Sequence, residues 1–222
     1  MSMSKRKSRS IGKPGLSILI ALAMILTWNT LDVIPAQAED LSVSIYGEEL
    51  QDGKYYEFSG SRYNNGAMVE SDTVPASGNY IYYTNGTMEV RGDVSIYANS
   101  RTQAAGTILS IAHGTLTLTG DGDLRLANYN NSDTLFTGTA DAAVKTDGYS
   151  GSITFDTRGG STISKGLSLI DLQTEGTVEL VCEDTKGRAA VSAGAVRLEG
   201  EDLFIRLNDG NTEFQYAIEA TD

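Results

Sequence analysis

The sequence has few of the residues that catalytic and metal sites commonly use. Its 222 residues include one cysteine, one histidine, one tryptophan and three prolines. A single cysteine excludes an intramolecular disulfide and a cysteine-rich zinc site, and a single histidine excludes any site that needs two imidazoles. Catalysis would therefore have to rest on carboxylates, and the 11 tyrosines are the best material for a binding surface.

Positive charge is also scarce. The chain carries 17 Lys and Arg against 29 Asp and Glu, a formal charge of −12 at pH 7, and its isoelectric point is about 4.5. Proteins that bind nucleic acid gain most of their affinity from Lys and Arg that neutralise phosphates. We therefore expect no nucleic-acid partner.

The first 38 residues have the three parts of a secretory signal peptide. An apolar segment over residues 16–28 is shorter than the roughly 20 residues of a membrane-spanning helix, and Ala36-Gln37-Ala38 supplies a small-x-small cleavage site. The charged region at the start of the chain consists of Lys5, Arg6, Lys7 and Arg9. The pattern predicts cleavage after Ala38 and a secreted, extracellular protein with no membrane span. An uncleaved anchor is the alternative.

The chain that would remain after cleavage is strongly acidic. Cleavage removes five of the 17 basic residues and one of the 29 acidic residues, which leaves 184 residues with a formal charge of −16. A chain of that length buries enough surface for one core without disulfides. Cys182 follows an apolar stretch, so we expect it to be buried as a small hydrophobic residue and not to be a reactive thiol.

A repeated pattern runs from residue 86 onward. Three segments read glycine, small, apolar, polar, apolar, polar, glycine, acid, and comparable strands near Ala142 and Gly166 fill the gap, so that the steps are 28, 28, 24 and 28 residues. The three segments begin at Gly86, Gly114 and Gly194 and end at Asp93, Asp121 and Glu201. Alternation with a period of two, bounded by Gly and Asp, predicts short half-buried strands joined by tight turns.

Each step holds three short strands, which is the arrangement of a parallel β-helix. A rung of this kind buries its apolar face only when another rung stacks on it, and proline is rare because it would remove a donor from the ladder. The fold class is therefore all-β, with a short right-handed parallel β-helix, or solenoid, of about five rungs over residues 86–222. An antiparallel β-sandwich is the alternative.

Residues 39–85 do not follow the repeat. Alternating strands are expected at residues 41–45, 54–58 and 79–83, and we interpret the segment as a tyrosine-rich β cap over the open end of the solenoid. The last rung falls close to residue 222. Its open edge predicts either a second cap over residues 214–218 or self-association with another chain.

The strand and turn motifs resemble those of a known class of proteins. Residues 41–56 read LSVSIYGEELQDGKYY, and residues 114–126 read GTLTLTGDGDLRL. In these segments the chain resembles exported bacterial β-solenoid proteins described as carbohydrate-binding-domain-containing, whose parallel β-helix has a pectate-lyase-like architecture. The resemblance covers most of the chain after residue 38. It implies an extracellular protein with a glycan ligand, and it transfers no catalytic residue.

Tyrosines of the cap are the predicted ligand-binding residues. Aromatic rings offer apolar area with a polar rim, which suits sugar rings, and strand alternation places Tyr80 and Tyr82 on one face and Tyr83 on the other. The set is Tyr55, Tyr56, Tyr80, Tyr82 and Tyr83, with Tyr63 nearby in the same segment. The alternative is that these rings only fill the core of the cap.

Two Asp-Gly sequences could supply oxygen ligands to calcium. Asp121-Gly122-Asp123 is the first, with Asp121 and Asp123 as the metal ligands, and Asp209-Gly210-Asn211 is the second. Asp-Gly is also common turn chemistry between strands, and we favour that interpretation. The sequence otherwise predicts no cofactor.

The leading hypothesis for function is non-catalytic binding of an extracellular glycan or a surface protein. The second hypothesis is a structural or adhesive surface protein, in which the stacked solenoid itself serves as the structural material and contains no binding pocket. The third is a polysaccharide lyase or hydrolase that uses carboxylates such as Asp156 and Glu179, which the repeat places on neighbouring rungs. No catalytic residue is assigned.

Overall fold

The computed structural model describes most of the chain after residue 39. The described residues are 40–61, 64–98, 107–129, 134–158, 162–183, 189–208 and 216–220. They form 18 strands joined by turns, and no helix occurs among them. The signal peptide predicted for residues 1–38 lies outside these ranges, as do Tyr63 and the Asp209-Gly210-Asn211 sequence.

Five strands at the start of the described chain form the cap and its hairpins. They are β1 (Ser42–Ile45), β2 (Glu48–Glu49), β3 (Lys54–Ser61), β4 (Asn64–Ser71) and β5 (Tyr80–Thr84). The sequence predicts three of these five. The sequence does not predict β2, which pairs antiparallel with β1, or β4, which pairs with β3 in an antiparallel hairpin.

The other 13 strands form the solenoid. The first two rungs contain β6 (Thr87–Arg91), β7 (Asp93–Ala98), β8 (Leu109–Ala112), β9 (Thr115–Gly120), β10 (Asp123–Asn128) and β11 (Thr134–Gly138). The later rungs contain β12 (Ala143–Thr146), β13 (Ile153–Arg158), β14 (Thr162–Gln173), β15 (Thr177–Glu183), β16 (Ala189–Glu199), β17 (Asp202–Asn208) and β18 (Tyr216–Ala220). All pair in parallel between rungs, which confirms the predicted parallel β-helix over the antiparallel sandwich.

The strands stack into three faces around one core. Face A contains β6, β9, β12 and the second halves of β14 and β16. Face B contains β7, β10, β13, β15 and β17, and face C contains β8, β11, the first halves of β14 and β16, and β18. The five strands of face B mark five rungs, and from the first rung to the last the solenoid makes about four turns.

Inward side chains of successive rungs lie directly on one another. On face B, one inward column is Val94, Leu124, Ile153, Val178 and Leu203, and the next is Ile96, Leu126, Phe155, Leu180 and Ile205. All but the last member of each column are buried. The period-two alternation read from the sequence is therefore the pattern that fills the core.

The observed register differs from the predicted one at three of the four steps: the steps on face A are 30, 28, 26 and 26 residues, where the sequence predicted 28, 28, 24 and 28. Thr87 pairs with Thr117, a step of 30 residues where the sequence predicted 28. Asp93 accordingly pairs with Asp123 and not with Asp121. A shift of two residues returns each side chain to the same face, so the inward and outward assignments were right although the pairing was wrong.

A column of glycines explains this register. Gly92, Gly122, Gly151, Gly176 and Gly200 follow one another at the corner between faces A and B. A Cβ on Gly122 would lie 2.4 Å from the carbonyl oxygen of Gly92, and a Cβ on Gly176 would lie 2.8 Å from the carbonyl oxygen of Gly151. The corner packs backbone against backbone, and only a residue without a side chain fits there.

The cap covers the N-terminal end of the stack on two faces. Strand β5 pairs with β6 through the two-residue turn Asn85-Gly86, in which both residues have positive φ, and so extends face A. Strand β1 pairs antiparallel with β8 and covers the edge of face C. Tyr56 is buried in the core, with Phe58 and Met68 packed against that core.

The C-terminal end has no comparable cover among the described residues. Strand β18 pairs in parallel with β16 as a strand of the fifth rung. The cap predicted for residues 214–218 is therefore wrong over Tyr216 to Ile218, because those residues continue the solenoid.

Candidate functional site

The outward face of the cap sheet carries three tyrosines. Strands β3 and β5 pair antiparallel with Tyr55 opposite Tyr82. Opposite residues of an antiparallel pair point to the same face, so both rings lie on one surface. Tyr80, two residues before Tyr82, joins them there because side chains alternate along a strand. All three are partly exposed.

The three rings form a continuous aromatic surface, which we call the tyrosine surface. Tyr55 is central: its ring centroid lies 4.7 Å from that of Tyr82, with 32° between the planes. It lies 5.5 Å from that of Tyr80 in an edge-to-face arrangement at 75°. Each contact is in the range that stabilises aromatic pairs, so the rings hold one another in place.

The other two predicted binding tyrosines point inward. Tyr56 and Tyr83 are buried in the core of the cap, and burial raises the pKa of both phenols. The Tyr56 hydroxyl accepts a hydrogen bond of 2.6 Å from the Gln51 N–H. The predicted set of five therefore reduces to three at the surface, divided as the strand alternation requires.

A polar network adjoins the tyrosine surface on the next strand. In the β5–β6 hairpin, Tyr82 lies opposite Glu89 and Tyr80 lies opposite Arg91. Arg91 donates from Nε to the Glu89 carboxylate at 2.7 Å and from Nη1 to Asp121 at 2.9 Å. These carboxylates raise the pKa of Arg91, with the Glu89 hydrogen bond the larger cause. The network places hydroxyl-binding groups beside the aromatic rings.

The sequence missed this network although a signal for it is present. The turn Asn85-Gly86 is the strongest short-range indication of a hairpin, and a two-residue turn fixes Thr84 opposite Thr87. Counting back from that pair places Tyr82 opposite Glu89. The predicted boundary between residues 85 and 86 divided the hairpin and so separated the two halves of the site.

The predicted calcium ligands both have protein partners. Asp121 accepts the hydrogen bond from Arg91, and Asp123 accepts one of 2.8 Å from the Ser152 N–H of the next rung. Across the described ranges, no group of three or more His, Cys, Asp or Glu side chains is arranged to hold a metal ion. The contact of Asp123 joins two neighbouring rungs.

A second polar cluster lies on the outward side of face B. Asp156 is buried, and its carboxylate pairs with Arg125 and accepts a hydrogen bond of 3.0 Å from the Tyr129 hydroxyl. Tyr129 stacks on Tyr97 at 6.3 Å. Glu179 lies on the neighbouring rung, as predicted, but its carboxylate is 3.0 Å from Arg206. The two acids are thus engaged in separate ion pairs.

The single histidine lies at a corner of the solenoid. His113 has a positive φ of 60°, and its Nδ1 lies 3.0 Å from the Asp141 carboxylate on the next rung. Hydrogen bonds from Thr139 and then His113 lower the pKa of Asp141. The contact ties two turns of neighbouring rungs together.

The single cysteine is buried in the core of face B. Burial raises the pKa of the Cys182 thiol to about 11, so at pH 8 only about one thiol in a thousand is ionised. We expect native protein to react with an aromatic disulfide reagent at least about 100-fold more slowly than an exposed thiol, because the thiolate is the nucleophile. Absorbance of the released thiol measures the rate. Reaction of the native protein as fast as of the protein in guanidinium would contradict the burial of Cys182.

The chain thus defines a β-solenoid with an aromatic surface on its cap. Comparison with known proteins adds nothing to this class: no family model, curated protein or solved structure matches the chain. The resemblance to carbohydrate-binding solenoids stays a prediction. Within the described part of the chain, no helix is long and apolar enough to cross a membrane.

Proposed function

We propose that the protein is secreted and binds a glycan outside the cell without catalysing a reaction. The single observation that carries this proposal is the cluster of three partly exposed tyrosines, Tyr55, Tyr80 and Tyr82, on one face of the cap sheet. A sugar ring has apolar C–H faces that stack on such rings, while its hydroxyls need polar partners at the edge. Glu89 and Arg91 supply those partners on the adjacent strand.

The local charge favours a neutral glycan over an acidic one. Arg91 is shared between two carboxylates, Glu89 and Asp121, so the network beside the rings carries a net negative charge. The chain as a whole has a formal charge of −12. Acidic polysaccharides would be repelled by this field, whereas neutral sugars can hydrogen-bond to the ion-paired network.

Substitution of the tyrosine surface tests the proposal. Tyr55→Ala and Tyr82→Ala should each weaken binding of a neutral oligosaccharide by about 10- to 100-fold, because a buried aromatic contact at the centre of an interface is worth roughly 1.4–2.8 kcal/mol. Isothermal titration calorimetry measures the change.

Tyr97→Ala is the matched control for these variants. Tyr97 is also part of a tyrosine pair and partly exposed, but it lies on face B. We expect the Tyr97→Ala variant to bind the oligosaccharide with the affinity of the wild type. Thermal unfolding checks that all three variants are folded. Undiminished binding by the Tyr55→Ala and Tyr82→Ala variants would refute the role of the tyrosine surface.

A further inference from the structure

The C-terminal end of the solenoid exposes residues that belong to its core. Leu203, Ile205 and Leu207 of β17 continue the inward columns, but they are 46%, 39% and 40% exposed. Their neighbours on the previous rung, Val178, Leu180 and Cys182, are buried. The difference arises because β17 pairs with β15 on one side and with no described strand on the other.

An occupant of this end has to satisfy three strand edges at once. The end consists of residues 195–199 of β16 on face A, β17 on face B and β18 on face C. Their inward side chains Val196, Leu198 and Ile218 are only partly buried. The occupant must therefore supply three edge strands around an apolar centre, and a long exposed apolar edge favours pairing with another strand.

The opposite end of a second copy does not fit this requirement. Strand β1 covers the edge of face C at that end, and β5 covers the edge of face A. The C-terminal end of a second copy does supply three edges. A two-fold axis through the middle of β17 would pair that strand antiparallel with itself, and it would pair the end of β16 antiparallel with β18 of the second copy.

The sequence of β17 is self-complementary in such a pair. With Ile205 on the two-fold axis, Leu203 lies opposite Leu207 of the second copy, and all three inward residues remain in a common core. The same register places Phe204 opposite Arg206 of the second copy. Within one chain the Arg206 guanidinium already lies 5.8 Å from the Phe204 ring, so this pairing adds a cross-chain cation–π contact of the same kind.

The other two edges bring one pair of opposite charges together, in addition to the Arg197–Glu199 ion pair within one chain. An antiparallel pair that places Leu198 opposite Ile218 of the second copy also places Arg197 opposite Glu219. Opposite charges directly across a strand pair stabilise it, and the apolar residues close the core between them.

We propose that this end binds the same end of a second copy and forms a two-fold symmetric dimer. The dimer follows from β16, β17 and β18 alone and does not require glycan binding. If the proposed function also holds, the two tyrosine surfaces lie at opposite ends of the dimer, and bivalent binding to a glycan polymer gains avidity.

Cysteine cross-linking of the full chain tests the symmetry. Residues opposite each other in an antiparallel pair have Cβ atoms about 4.5–5.5 Å apart, close to the span of a disulfide. Ile205→Cys should therefore form a covalent dimer on oxidation. Leu203→Cys should not, because its two copies would lie about 13 Å apart along the strands. Non-reducing electrophoresis reads both; equal cross-linking of the two variants, or none with Ile205→Cys, would overturn the proposal.

The mass in solution gives a second readout. Wild-type protein should have twice the mass of the Ile205→Lys variant by light scattering at the same concentration. The introduced positive charge would lie next to the same charge of the second copy on the two-fold axis, and the two would repel each other. Val69→Lys is the matched control, because Val69 is also an exposed apolar residue but lies on β4 of the cap; we expect it to remain dimeric. A monomeric wild type, or a dimer that survives Ile205→Lys, would contradict the two-fold interface.

Discussion

Replacing Gly151 with alanine should destabilise the protein by about 3 kcal/mol, which is at the upper end of the cost of overpacking a tight site. An alanine Cβ at this position would lie 2.0 Å from the carbonyl oxygen of Gly122 and 2.5 Å from its carbonyl carbon. Both contacts are with backbone of the neighbouring rung, so no side chain can rotate away. The rungs would have to separate at that corner, and the parallel ladder between β10 and β13 would be strained.

Gly148 supplies the control three residues earlier. It has a φ of +59°, but a Cβ there would meet nothing within 4 Å. Gly148→Ala therefore incurs only the cost of a left-handed backbone, about 1 kcal/mol. Guanidinium unfolding measures both variants, and equal losses of stability would show that the glycine column is not a close backbone contact.

Replacing Phe155 with alanine should cost about 3–5 kcal/mol, the usual range for removing a buried phenylalanine. Phe155 is buried in the middle rung, and its ring lies 4.9 Å from that of Phe136 in an edge-to-face arrangement. Phe136 belongs to face C, so the pair joins two faces across the core. The substitution would leave a cavity that the neighbouring rungs enclose on both sides. The surrounding side chains could therefore move only slightly to fill it.

Phe204 is the matched control for this substitution. It lies on the outward side of the last rung and is 44% exposed. Phe204→Ala should change the free energy of unfolding by less than about 0.5 kcal/mol, as is usual for surface positions. The comparison is made on monomer at low concentration, so that the proposed dimer does not contribute. A Phe155→Ala variant as stable as Phe204→Ala would contradict the arrangement of the core.

The strands of the solenoid were predictable because their signal is local. Each rung must place apolar residues inward at every second position, and this alternation is visible in segments such as residues 115–120 and 202–208. The pairing between rungs was less predictable. Gly120 and Gly122 both match the corner glycine of the repeat, and only the contact of Gly122 with the backbone of Gly92 decides between them.

The candidate site was partly predictable for the same reason. Alternation separates Tyr80 and Tyr82 from Tyr83, as the structure bears out, but it cannot say which side of an isolated sheet faces the core. That choice depends on packing against the solenoid, which buries Tyr56 and Tyr83. The open end of the stack was expected from the repeat count, whereas the self-complementarity of β17 depends on which residues remain exposed there.

The most direct measurement is binding of purified protein to a glycan array, with and without calcium. We predict selective binding to neutral glycans in both conditions, and loss of that binding in the Tyr55→Ala variant. Binding that requires calcium would direct attention to Asp121 and Asp123. The absence of binding to any glycan in either condition would contradict the proposed function.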